Sequence, residues 1–254
     1  MRLVAFRSNR HSQNGEDGVI EEIFRRLGIL DKQGFVVEFG AWDGIHLSNT
    51  FNLVENFGYS AIYIEGDAEK FHALTETAKK FSNIHPIFAM LSRCPTEKST
   101  TLDQVLETEG ISEVAILSID IDSYDLEIWA SSCVDAKVVV IEINSSIEPG
   151  IVRWHNPPKN TGNSFSVTLE VGTVKGYTLA CHTGNMIFVR NDLVEFLELD
   201  ELDLKYPERL FLPDWVGIKP SWKERLLLKL TRLPPSVKTR VRSLCGMKKM
   251  DYRS

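Results

Sequence analysis

Val36-Val37-Glu38-Phe39-Gly40-Ala41-Trp42-Asp43-Gly44 is the stretch whose reading decides the architecture. An apolar, β-branched run breaks into a glycine-bearing turn, and helical patterning follows at residues 48–57, the strand-turn-helix opening of a doubly wound α/β sheet. The glycines fall as Glu-x-Gly-x-x-x-Gly, not as the Gly-x-Gly-x-x-Gly that cradles a pyrophosphate. Downstream the alternation repeats. Runs at 60–66, 84–90, 114–122 and 137–144 read as further strands, with helical patterns at 69–81 and 101–109. Upstream, residues 12–27 read as a helix with Ser12 as N-cap, Glu16 and Asp17 in its first turns and Gly28 at its end.

After the fifth run, residues 145–163 are rich in Pro, Asn, Gly and Ser. A connection of that length is uncommon in a compact domain unless it is functional, and we expect a substrate lid. A helix at 164–175 leads into a strand at 177–182, and Gly184-Asn185 turns the chain into a strand at 186–190, an antiparallel hairpin. The organisation expected is one α/β domain over residues 1–192, with residues 193–254 as an appendage ending in a basic tail.

At 43% hydrophobic and 25% charged residues, the chain has enough apolar material for a full core. Cys94, Cys133, Cys181 and Cys245 are scattered with no CxxC pair, so the spacing suggests neither a zinc knuckle nor a disulfide framework, and a reducing cytoplasm is the expected setting. No apolar run approaches the roughly 20 residues needed to cross a bilayer. The net charge of −6 conceals an asymmetry: residues 219–254 carry 11 Lys/Arg against two acids, leaving −15 on residues 1–218. In that tail Trp222, Leu226, Leu230 and Leu233 recur at helical spacing while Lys223, Arg225, Lys229 and Arg232 lie mainly off their stripe. Such a helix either docks on an anionic membrane surface, peripherally at its inner face, or on an acidic polymer, or it packs its apolar stripe on the domain. Nothing in the tail points to sequence-specific nucleic-acid recognition.

Carboxylates mark the strand ends. Glu38 is a fitting neighbour for a sulfonium and amino-acid group such as S-adenosylmethionine brings, and Gly40 and Gly44, with Ala41 and Gly66 beside the strand ends, let backbone approach a ligand closely. Glu65 closes the second strand, where a carboxylate accepts both ribose hydroxyls. Asp120 and Asp122 are two apart and so share a face, as do Glu142 and Asn144 on the next strand. Burying these oxygens unpaired is costly, so they should meet a wet cleft, each other or a hard cation such as Mg²⁺, with Asp122, Glu142 and Asn144 as its ligands. The plainer alternative is that the aspartates cap the following helix. His155, in the long loop, is a candidate general base or a surface histidine without a task. His46 and His182 follow strands and either line the cleft or serve turns.

Together, Ser12-Gln13-Asn14-Gly15-Glu16-Asp17, the 35–44 stretch, Leu47-Ser48-Asn49-Thr50, Glu65-Gly66-Asp67 and Ser118-Ile119-Asp120-Ile121-Asp122 resemble the FkbM-type methyltransferases and their uncharacterised relatives over residues 10–192. The resemblance implies a doubly wound, mostly parallel seven-stranded sheet of the Rossmann-like class I methyltransferase type. It further implies S-adenosylmethionine at Glu38 to Gly44 and methylation of a hydroxyl on a small-molecule or glycan acceptor, a sugar, glycan or natural product. Ser123 departs from the family, many of whose members carry glycine there. The expected enzyme holds its cofactor through Gln13, Glu38, Gly40, Ala41, Gly44, Glu65, Gly66 and Asp120, and passes the acceptor proton to Asp120, Asp122 or His155. Competing readings are a nucleotide-dependent oxidoreductase, against which the missing Gly-x-Gly-x-x-Gly argues, and a binding or scaffold module that keeps the fold without turnover.

Overall fold

A computed structural model describes residues 1–121, 124–159 and 161–213; Asp122 and the basic tail at 219–254 lie outside them. Helix α1 (Glu16–Arg26) precedes β1 (Phe35–Phe39), and then come α2 (Phe51–Phe57), β2 (Ser60–Glu65), α3 (Ala68–Ala78), β3 (Ile84–Phe88), α4 (Leu102–Thr108) and β4 (Val114–Ile119). The second half adds α5 (Asp125–Ser131), β5 (Ala136–Glu142), α6 (Phe165–Val174), β6 (Tyr177–His182), β7 (Asn185–Arg190) and α7 (Glu201–Lys205). The seven strands form one sheet in the order β3-β2-β1-β4-β5-β7-β6. β1 to β5 pair in parallel, and β7 runs antiparallel to both β5 and β6. This is the doubly wound, mostly parallel, Rossmann-like sheet expected, with the expected hairpin closing it.

Parallel strands are buried on both faces, which is why they read as continuous apolar runs. Val36, Ala61, Tyr63, Ile116 and Val138 point into a core covered by α1, α2 and α3. Their neighbours Val37, Ile62, Ile64, Leu117 and Val139 point the other way, toward α4, α5 and α6. Pro86 sits in β3, which pairs only with β2; at a sheet edge its missing N–H breaks no ladder bond.

Several boundaries differ from the sequence reading for local reasons. Helix α1 begins at Glu16, not near Ser12; its N-cap is Gly15 at φ 97°, where a Cβ would fall 2.5 Å from that of Arg7. Ser12 instead clasps Asp17. Its hydroxyl donates to Asp17 Oδ2 at 2.8 Å and accepts from the Asp17 N–H at 3.0 Å, while the N–H groups of Arg10, His11 and Ser12 all donate to that same carboxylate oxygen. α2 starts three residues late because Ser48, Asn49 and Thr50 are engaged elsewhere. Beyond β7, Leu197 and Phe211 are buried in the two cores, so the chain from 191 to 213 packs on the sheet that precedes it.

Candidate functional site

The strand order reverses direction between β1 and β4, and a cleft opens at the carboxyl ends there, as it does in doubly wound sheets generally. It encloses about 480 Å³ and is lined by residues that follow β1, β2, β3 and β4, together with Gln13 and Glu142. Of the residues singled out from sequence, Gln13, Glu38, Gly40, Ala41, Glu65, Gly66, Asp120 and Glu142 border it. Gly44, Asn144 and His155 do not.

Glu38, buried at the end of β1, spends its carboxylate on the protein. It accepts from Ser48 Oγ at 2.6 Å, Thr50 Oγ1 at 2.5 Å, the Asn49 N–H at 3.1 Å and Ser118 Oγ at 3.4 Å. Burial pushes its pKa up despite these donors. Thr50 Oγ1 also lies 3.0 Å from the Tyr63 hydroxyl, whose own pKa burial and the Glu38 charge drive up. Glu38 is thus the hub that folds residues 48–50 over the cleft floor.

Glu65, last in β2, reaches across to the first loop. One oxygen accepts from the Trp42 N–H and the other from the Asp67 N–H, each at 2.9 Å, so the carboxylate is fixed in direction at the cleft wall. Asp67 in turn caps α3, accepting from the Glu69 and Lys70 N–H groups. Among the described glycines, Gly40 leaves the least room for a side chain: at φ 76°, an added Cβ would stand 1.8 Å from the Asp120 carbonyl oxygen. Gly44, at φ 80°, faces inward, where a Cβ would meet Leu74 and Tyr63 at 2.8 and 3.1 Å. Its role is packing behind the loop.

Trp42 and Leu47 occupy the left-handed region at φ 49° and 59°, a costly choice for side-chain-bearing residues and one that clusters at functional sites. Both line the cleft. Lys70 Nζ sits 4.9 Å from the Trp42 ring centroid, and His46 meets that ring edge-on at 5.3 Å. Sequence reasoning placed Trp42 only within the Glu38 to Gly44 stretch and missed Leu47, Lys70 and Met90. The left-handed backbone at Trp42 and Leu47 is one for which a tryptophan or leucine gives no signal.

His155 is buried in the 145–163 connection, where its Nδ1 accepts from the Gly162 N–H at 3.0 Å and its N–H donates to Asn163 Oδ1 at 2.9 Å. It organises its loop from outside the cleft. Asn144, two residues beyond the end of β5, donates to the Thr161 carbonyl and accepts from the Ser146 N–H and hydroxyl. No group of three or more His, Cys, Asp or Glu among the described residues is arranged to hold a metal ion. Of the three residues expected to hold Mg²⁺, Asn144 turns into its own loop, Glu142 lies at the cleft, and Asp122 is outside the described residues. His182 is buried and serves structure. Its Nε2 lies 2.9 Å from Ser145 Oγ and its Nδ1 accepts from the Leu212 N–H at 2.9 Å, as a neutral ring does, and burial lowers its pKa to about 3.

No protein-family model matches the chain, and no curated protein matches it in sequence. In shape it is similar to M. capricolum TrmK in complex with S-adenosyl-homocysteine, with 13% identity over 88% of this chain and 93% of that one, at a TM-score of 0.46. It is similar also to the N-terminal domain of EvdMO1 in the presence of S-adenosyl-homocysteine and D-fucose, with 10% identity over 72% and 84% and a TM-score of 0.44. A S-adenosylmethionine-dependent methyltransferase from Aquifex aeolicus aligns at 14% identity over 68% and 91%, with a TM-score of 0.38. No helix among the described residues is long and apolar enough to cross a membrane.

Proposed function

We propose that the chain is a S-adenosylmethionine-dependent methyltransferase acting on a hydroxyl group, with a sugar, glycan or related small molecule as acceptor. The observation that carries the reading is the chemistry of the cleft wall. Glu38, Glu65, Asp67, Asp120 and Glu142 line it against Lys70 and His46, on the carboxyl side of the switch point. With Glu38 engaged behind the wall, the remaining acids repel a pyrophosphate and favour a ligand that brings positive charge and hydroxyls. The size, about 480 Å³, suits a nucleoside-sized molecule.

The residues fit that cofactor. Glu65 would hold its ribose hydroxyls, Gly40, Ala41 and Gly66 would offer backbone at close range, and Gln13 would close over it. When bound, the cofactor supplies an electrophilic methyl group on a sulfonium. The chain's own part is to position: Glu38 fixes the 48–50 segment, Glu65 fixes Trp42, and the crowded contact of Gly40 with Asp120 sets the distance between β1 and β4. Asp120 borders the cleft and is the described carboxylate we assign to take the acceptor proton; Asp122 is its sequence neighbour in that task. Orientation supplies most of the rate, since proton transfer typically adds about 10² to 10⁴-fold. The hydroxyl acceptor follows from the FkbM-type resemblance.

Calorimetric titration with S-adenosylmethionine and, separately, NADH tests the reading. Saturable binding of S-adenosylmethionine alone is expected, followed by methyl transfer to a hydroxylated acceptor. Binding of NADH alone would replace the reading with an oxidoreductase; cofactor binding without turnover across an acceptor panel would leave a binding module.

A further inference from the structure

We propose that Asp17 and Glu16 are positioning residues for the cleft: together they fix residues 10–15 as an arm that presents the Gln13 amide to S-adenosylmethionine. The inference rests on the methyltransferase reading. Gln13 is exposed and lines the cleft, and its side chain forms no hydrogen bond among the described residues, while its carbonyl accepts from Asn9 Nδ2 at 2.8 Å. Its neighbours on both sides are tied down. On one side, Oδ2 of the buried Asp17 accepts from the Arg10, His11 and Ser12 N–H groups and from the Ser12 hydroxyl, each at 2.8 Å. On the other, Oε2 of the buried Glu16 accepts from the Asn14 N–H at 2.7 Å, and its Oε1 accepts from the Thr183 hydroxyl at 2.6 Å, in the turn between β6 and β7. Asn14 packs on that same turn, where a Cβ at Gly184 would fall 2.4 Å from its Nδ2.

Residues 7–15 belong to no helix or strand, so no ladder of their own sets their path, and their N–H groups still need acceptors. Apolar side chains in place of Glu16 and Asp17 would fill the core at a lower desolvation cost but would accept nothing. The two carboxylates hold both flanks of Gln13 through charge-assisted bonds, which are shorter than neutral ones and about twice as strong. Neither carboxylate lines the cleft itself. Their influence on a ligand therefore passes through Gln13, the member of the arm that borders it. A side-chain amide brings donors and an acceptor together, and an arm ordered before binding spares the complex the cost of ordering it.

The test is a double-mutant cycle on the full chain, read as the Kd for S-adenosylmethionine by calorimetry. Gln13→Ala should weaken binding by about 3 to 10-fold, the worth of a lost neutral hydrogen bond. Asp17→Ala should weaken it by the same factor or less, and the double variant should bind no more weakly than Gln13→Ala alone. Ser12→Ala, which removes one donor to Asp17, should lose about twofold in the wild-type background and nothing in Gln13→Ala. Where circular dichroism shows Asp17→Ala unfolded, Ser12→Ala decides. Wild-type affinity in Gln13→Ala, or in every folded variant of the arm, overturns the proposal. Losses that multiply in the double variant overturn it too, because Asp17 would then act on the cleft by another route. A wild-type chain that ignores S-adenosylmethionine sinks the methyl-transfer reading and this one with it, whereas wild-type binding with unchanged variants sinks only the positioning role.

Discussion

A methyl group added at Gly40 would stand 1.8 Å from the Asp120 carbonyl oxygen, on a backbone already at φ 76°. Neither the backbone atom nor the dihedral can yield without parting β1 from β4, so Gly40→Ala should cost about 3 kcal/mol or more, read as a fall in the urea midpoint. A loss within surface-substitution range would show that the contact relaxes. Glu65 carries a different kind of prediction. Its carboxylate anchors both the Trp42 and Asp67 N–H groups, so Glu65→Ala should weaken S-adenosylmethionine binding by about 10 to 100-fold, the worth of charge-assisted hydrogen bonds. Equal affinity in the variant would remove Glu65 from the site. Glu65 could be picked from sequence because a carboxylate ending the strand beside β1 has few other reasons to be there. Trp42 could not, because its place in the cleft comes from a left-handed backbone that its residue type disfavours.

At the level of elements, the central strands were legible because burial on both faces leaves an apolar run flanked by turn residues, as in Ala136–Glu142, while the edge strand Ile84–Phe88 is only partly buried. The ends were less so, since tertiary hydrogen bonds decide them. Ser48 and Thr50 look like helix starters but donate to Glu38, and β4 stops at Ile119 as Asp120 turns its carbonyl toward Gly40. Ser164 shows a cap doing two tasks. Its hydroxyl accepts from the Val167 N–H at the start of α6 and from the Arg153 N–H, and donates to the Ile151 carbonyl. Ser164→Ala should therefore lower stability by about 1 to 2 kcal/mol and free the neighbouring loop together with the helix. Hydrogen exchange at the Arg153 and His155 amides should accelerate with that at Val167; acceleration at Val167 alone would separate loop from cap.

Across the whole molecule, two buried ionisable groups pull the pH dependence of stability in opposite directions. Burial lowers the His182 pKa to about 3, so the folded ring stays neutral while the unfolded ring takes up a proton near its ordinary 6.5. Its contribution is present above that value and is lost as pH falls toward 3, at about 1.4 kcal/mol per pH unit. Glu38 has its pKa raised by burial from 4.5, so its contribution is present below 4.5 and is lost as pH rises through the folded value. Wild-type stability between those ordinary pKa values is therefore flatter than either group alone would make it. His182→Gln keeps an acceptor for the Leu212 N–H but cannot take up the proton. Its stability relative to wild type should climb as pH drops from about 6.5 toward 4, and Glu38→Gln should climb relative to wild type as pH increases above about 4.5, each superimposed on a constant loss of packing or hydrogen bonding. Urea unfolding at stepped pH reads both differences, and because each is taken against wild type, the surface ion pairs cancel. A pH-independent difference for His182→Gln would mean that the ring takes up its proton at the same pH in the folded and the unfolded chain, and below that pH the Leu212 N–H would need another partner.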